Sequence, residues 1–183
     1  MTAMSWTIRL ALVLLGAAIA YGATECACDP ALPETMKTRQ CSLCNEAEKQ
    51  PSDQQIFFLK DINPRKPNRW LALPRAHQGG LHHLHEMPAA ARTALWTAAI
   101  AKATEMWGDE WGVAYNGEKV RTQCHTHVHI GKLMKHVENN RFIVVSNPAQ
   151  IPAPAGEGVW IHPAGKKFHV HLGEQTTETA LMR

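Results

Sequence analysis

His125, His127 and His129 alternate with Thr126 and Val128 and run into Ile130 and Gly131. Alternation with period two belongs to a β-strand, so the three imidazoles should share one face, with successive rings roughly 7 Å apart. Thr126, Val128 and Ile130 then fall on the other face, where β-forming side chains meet a core. An imidazole with its ordinary pKa of about 6.5 is mostly neutral at pH 7. It can therefore serve as nucleophile, proton carrier or metal ligand. Three of them on one strand face mark that face as a reaction or metal site. Just upstream, Arg121, Thr122 and Gln123 offer donors suited to the non-bridging oxygens of a phosphate. Arg121 and Gln123 share the histidine phase of a regular strand.

Histidine is over-represented, with 11 residues in the chain. Seven of the others group as His77, His82, His83 and His85 before a long helix, and His162, His169 and His171 near the end. His82, His83 and His85 read as surface residues where the helix starts. His162, His169 and His171, with Lys166 and Lys167 between them, either border the triad site or decorate an edge hairpin. Of the 5 cysteines, Cys26, Cys28, Cys41 and Cys44 crowd into a polar, proline-containing stretch. Cys41 and Cys44 form a C-x2-C pair, which suits zinc in a reducing compartment and disulfides in an oxidising one. Cys124 is left over and is expected to pack inward as a small apolar residue.

The elements that must position these groups follow from pattern. Residues 56–61 and 68–74 read as two strands of a hairpin, separated by Pro64 and Pro67. Residues 87–107 form the one long helical pattern, with Pro88 in its first turn, Leu95, Ala99 and Met106 on its apolar side, and Gly108 at its end. Residues 113–115 lead into an Asn116-Gly117 turn. Residues 120–130 form the histidine strand, and residues 141–146 a further strand. Residues 159–162 and 167–172 form a last hairpin around Pro163, Ala164 and Gly165. The expectation is a single α+β domain over 24–183, mostly antiparallel sheet with one long helix and short helical pieces.

The 183 residues suffice for one core, and a net charge of +3 without a basic block gives no surface for wrapping nucleic acid. At the N-terminus, Arg9 precedes the apolar run 10–20, and Ala18 and Ala20 offer a cleavage site. Residues 1–23 thus read as a signal peptide or a short membrane anchor. The expected location is exported: periplasmic, or anchored in an inner membrane.

The triad, with its upstream context, resembles the histidine triad superfamily. That context is the Cys41/Cys44 pair, the Leu73-Pro74-Arg75-Ala76-His77 segment, the long helix and Asn116-Gly117. The order Arg121-Thr122-Gln123-x-His125-x-His127-x-His129 resembles the CDP-diacylglycerol pyrophosphatase branch in particular. The resemblance implies a HIT-like fold with a C-terminal extension and a hydrolase of phosphoanhydride bonds. His127 would be the nucleophile. His129 would contact phosphate or protonate the leaving group, and His125 would orient the site. Asn116, Arg121, Thr122 and Gln123 would bind substrate. It further implies a homodimer pairing through the long helix, with Leu95, Ala99 and Met106 as candidate contacts. No cofactor is required for the reaction. A structural zinc on Cys41, Cys44, His77 and His125 is the one metal the resemblance suggests. The substrate it favours is CDP-diacylglycerol, with membrane association. One alternative is a hydrolase of soluble dinucleoside polyphosphates or nucleotidyl conjugates. Another is a non-enzymatic periplasmic protein that holds zinc or copper.

Overall fold

A computed structural model describes residues 26–75 and 82–183. His77 and the apolar run 10–20 lie outside the described residues. Two short helices, α1 (Pro33–Met36) and α2 (Ser42–Glu48), precede the hairpin β1 (Ile56–Lys60) and β2 (Trp70–Pro74). The long helix α3 (Ala89–Trp107) follows, then β3 (Trp111–Tyr115), β4 (Val128–Lys132), β5 (Phe142–Val145), β6 (Gly158–Ala164) and β7 (Lys167–Glu174). The strands form one antiparallel sheet in the order β1-β2-β4-β3-β6-β7-β5. The architecture is α+β, an open antiparallel sheet carrying one long helix.

α3 is rich in alanine and has no interior glycine or proline, so its backbone favours the helix. Pro88 stands at the cap position rather than inside the first turn, and Gly108 ends the helix at a φ of 57°, a region that favours glycine. The helix buries Leu95, Trp96, Ala99 and Ala103 against Val113, Tyr115, Val128, Ile130 and Ile161 of the sheet. Filling of this kind is worth about 3–5 kcal/mol for a large aromatic such as Trp96. Leu95 and Ala99 are therefore spent inside the protomer, and of the three apolar positions expected at a dimer contact only Met106 is exposed.

The opposite sheet face carries the chemistry. Leu71, His129, Ala114, Trp160, His171 and Phe142 lie in one row across six strands, as the strand registers show. α2 covers one end of this face, where Leu43 and Ala47 meet Phe57, Leu71 and Leu73. The C-terminal segment covers the middle, where Ala180 and Leu181 pack on Ala114 and Trp160.

The histidine stretch is less of a strand than its alternation suggests. Residues 118–120 make a turn of 3-10 helix, and regular pairing begins only at Val128. The reason is competition for backbone acceptors. The Arg121 guanidinium takes the Gln123 and Cys124 carbonyls, and His127 takes that of His125. These acceptors are then unavailable to a ladder. Asn116-Gly117 is also not a tight hairpin turn, since Gly117 has a φ of −64°. A Cβ there would press on the amide end of Gln175, whose side chain would have to shift.

Candidate functional site

β4 and the segment before it bring His125, His127 and His129 together, all buried. Each ring is held by a different partner. His125 Nε2 donates to the carbonyl of Pro74 at the end of β2, at 2.8 Å. His127 Nδ1 donates to the His125 carbonyl, also at 2.8 Å. A carbonyl can only accept, so the proton of neutral His127 sits on Nδ1 and its Nε2 carries the lone pair. The His127 and His129 rings meet edge to face with centroids 5.1 Å apart.

Asn116, at the end of β3, sets the third ring. Its Oδ1 accepts from the Glu178 N–H at 3.0 Å and from the Thr177 hydroxyl at 3.3 Å. The amide nitrogen is thereby turned toward His129 Nε2, 3.4 Å away. His129 Nδ1 faces the Glu178 carboxylate at 3.6 Å. The same carboxylate oxygen binds Lys66 Nζ at 2.5 Å and Arg69 Nη1 at 2.7 Å. Arg69 is buried and also binds the carbonyls of Glu178 and Leu181 at 2.6 Å each. One guanidinium therefore fastens the C-terminal segment and delivers Glu178 to the triad.

Burial sets the protonation states. It pushes His127 down to about 3, helped by the adjacent His129 and the charge of Arg121. It likewise pushes His129 down to about 4, against the pull of Glu178. Both rings are neutral at pH 7. Burial opposes the charge of Glu178, but His129, Lys66 and Arg69 outweigh it and hold the carboxyl down at about 2.

The expected substrate-binding residues divide sharply. Arg121 is a clamp: Nη1 donates to Tyr115 Oη at 2.7 Å, and Nη2 to the His82 carbonyl at 2.7 Å and the Cys124 carbonyl at 2.8 Å. This commits both terminal nitrogens to the protein and leaves Nε as its one buried donor without a partner. Gln123 donates to Ser42 Oγ at 3.1 Å, and Asn116 is engaged as described. Thr122 alone is exposed. His83 and His85 turn to Glu118, at 3.2 and 3.5 Å, and are part of the wall around Arg121 rather than free surface.

The cysteines converge beside the triad, but not in the expected set. Cys28 is bonded to Cys41 and Cys26 to Cys124, leaving Cys44 as the buried free thiol. Cys124 is thus a disulfide partner and not a lone apolar residue. A disulfide sulfur is not a thiolate, so Cys41, bonded to Cys28, does not offer the sulfur that the expected set of Cys41, Cys44, His77 and His125 needs. The sulfurs that gather are those of Cys26, Cys28, Cys44 and Cys124, all within 4.8 Å of one another. Burial pushes the Cys44 thiol up to about 11.

No family model and no curated protein matches the chain. Among the described residues, no helix is long and apolar enough to cross a membrane. Glu178, Lys66 and Arg69 were not among the residues picked from sequence. They carry no local motif, and only the folding of the C-terminal segment onto the sheet brings Glu178 to His129.

Proposed function

We propose that the chain is a histidine triad phosphohydrolase with a HIT-like fold. It cleaves a nucleotide-linked pyrophosphate through a covalent histidine intermediate, with CDP-diacylglycerol, giving CMP and phosphatidate, as the favoured substrate. The observation that carries this reading is the tautomer of His127: Nδ1–H is bound to the His125 carbonyl and Nε2 is left with its lone pair. A ring kept neutral by burial does not have to lose a proton before it attacks.

In the first step Nε2 of His127 bonds to a phosphorus of the pyrophosphate, and the bridging P–O bond breaks with its electron pair on the departing phosphate. The ring becomes cationic, and its Nδ1–H···O=C bond strengthens as charge develops. In the second step water attacks the phosphoramidate, the P–N bond breaks and neutral His127 returns. A phosphate monoester leaving group, with a second pKa of about 6, needs little help from an acid. This suits the neutral His129, whose Nε2 faces the Asn116 amide. Its role is then to orient His127 and meet phosphate rather than to protonate. No metal enters either step. In a reducing medium the gathered thiols of Cys26, Cys28, Cys44 and Cys124 would be a structural zinc site. The export reading, with membrane association and a homodimer, belongs to the same proposal and is compatible with the two disulfides.

The test is hydrolysis of CDP-diacylglycerol and of dinucleoside polyphosphates by the purified chain, with and without chelator. Turnover of the lipid substrate that survives chelation supports the proposal. Preference for the soluble substrates transfers the site to the alternative hydrolase. Absence of turnover on every nucleotide pyrophosphate overturns the assignment.

A further inference from the structure

A second histidine cluster occupies the other side of the same sheet face. The β6–β7 register sets His162 opposite His169 and Trp160 opposite His171. Aromatic neighbours lock two of the rings. Phe142 stacks on His169 at 3.8 Å between centroids, and Trp160 stacks on His171 at 3.6 Å. Glu138, from the connection between β4 and β5, brings Oε1 to 2.6 Å from His169 Nδ1 and 3.5 Å from His162 Nε2. His162 Nδ1 donates to the Pro163 carbonyl at 3.1 Å, so its lone pair is on Nε2 and faces the cluster. His171 Nε2 lies 3.4 Å from that same nitrogen.

We propose that Glu138, His162 and His169 form a binding site for a zinc-type divalent metal ion, separate from the triad. The ion would staple the segment between β4 and β5 to β6 and β7. Ligands at about 2.0–2.1 Å from a tetrahedral zinc stand roughly 3.3 Å from one another. The 3.5 Å separation of His162 Nε2 and Glu138 Oε1 matches that spacing. The 2.6 Å pair must open slightly, and Glu138, with its side chain 45% exposed, is free to do so. Two imidazole nitrogens with one carboxylate oxygen select a borderline ion over calcium or magnesium, which take oxygen shells. The Nδ1–H of His162 on a backbone carbonyl is the outer support that metal-binding imidazoles use to fix tautomer and angle. The row of Ala114 and Trp160 between His129 and His171 separates the two clusters by three strand spacings, roughly 14 Å.

The test uses the full chain with its disulfides intact, stripped by chelator and titrated with zinc by calorimetry. Glu138→Gln and His169→Gln alter the more accessible ligands, and circular dichroism checks that both variants fold. Each is expected to weaken zinc binding at least about tenfold, as loss of even an outer-shell partner does. His127→Ala is expected to bind zinc like the wild type. Nitrogen NMR should place the zinc-induced shifts on His162 Nε2 and His169 Nδ1. No uptake by the wild type, undiminished uptake by Glu138→Gln and His169→Gln, or uptake lost in His127→Ala overturns the proposal. None of these readouts depends on hydrolytic activity, so the two proposals fail independently.

Discussion

The two histidine clusters share a sheet face and a period-two spacing, yet they are built on opposite principles. In the triad every ring turns a nitrogen toward its own partner: Pro74 for His125, the His125 carbonyl for His127, Asn116 and Glu178 for His129. The partners set each ring separately and leave the Nε2 lone pair of His127 uncommitted. In the β6–β7 cluster the nitrogens turn toward each other and toward a single carboxylate oxygen, while stacking against Trp160 and Phe142 holds the ring planes. On the two proposals, separate partners would leave the triad a nucleophile, and convergence on one carboxylate would leave the second cluster a cation site. Alternating histidines alone do not distinguish these outcomes. The neighbouring strands do.

The largest effect that separates the clusters is expected from His127→Ala. No other imidazole of the triad has a free lone pair in that place, so turnover should fall by at least about 10³-fold, with KM little changed. Steady-state kinetics on CDP-diacylglycerol would measure it. During wild-type turnover, phosphorus label that is stable in base and labile in acid should map to His127 alone. Label on His125 or His129, or wild-type rates in the variant, would break the contrast between one free ring and two held ones.

Acid should unfold the protein through the triad. His127 and His129 titrate at about 3 and about 4 in the fold, whereas in the unfolded chain they titrate at about 6.5. As pH falls below the unfolded value, the unfolded chain gains protons that the folded chain refuses. Stability is thus complete above about pH 6.5 and falls progressively toward the folded values. Between pH 7 and 5 the expected loss is about 2 kcal/mol per ring. Urea unfolding at the two pH values would read it, and His127→Asn should remove about half of the triad's share. An equal loss in that variant would show that His127 is not kept neutral by burial.

Glu178→Gln tests the support behind His129. It removes the charge shared by Lys66 and Arg69 at 2.5 and 2.7 Å and keeps the shape. A fully buried pair broken in this way costs more, so about 2 kcal/mol is expected for this partly exposed carboxylate. A positioning role also requires kcat to fall, by about tenfold, while KM holds. Lost stability with unchanged kcat would reduce Glu178 to a fastener of the C-terminal segment.

What could be read from the chain is what depends on local spacing. The triad, the helix between Pro88 and Gly108, the β1–β2 hairpin and the last hairpin all rest on short-range pattern. The unread parts depend on partners far along the chain. Pairing of five cysteines is not encoded in their spacing, so Cys124 looked unpaired although it meets Cys26. Arg121 sits in strand phase, but its guanidinium finds Tyr115 and the carbonyls of His82 and Cys124, and regular pairing starts only at Val128. The histidines of the second cluster were visible; Glu138, which gives them a common target, comes from an irregular segment with no motif.

The smallest expected effect is at Thr122, and it sharpens the division among the substrate-facing residues. Arg121, Gln123 and Asn116 each spend hydrogen bonds inside the protein, so replacing any of them would mix loss of structure with loss of binding. Thr122 is exposed between Arg121 and Gln123. Thr122→Ala should change stability by no more than about 0.5 kcal/mol, as surface substitutions do. If its hydroxyl meets a phosphate oxygen equally in the bound and transition states, KM should rise a few-fold with kcat unchanged. A matched fall in kcat and kcat/KM would instead mean that the hydroxyl engages only as the phosphorus is attacked, placing Thr122 in the same class as the His127 carbonyl partner. Unaltered kinetics would remove Thr122 from the site and leave Arg121 Nε as a buried, unspent donor on this segment.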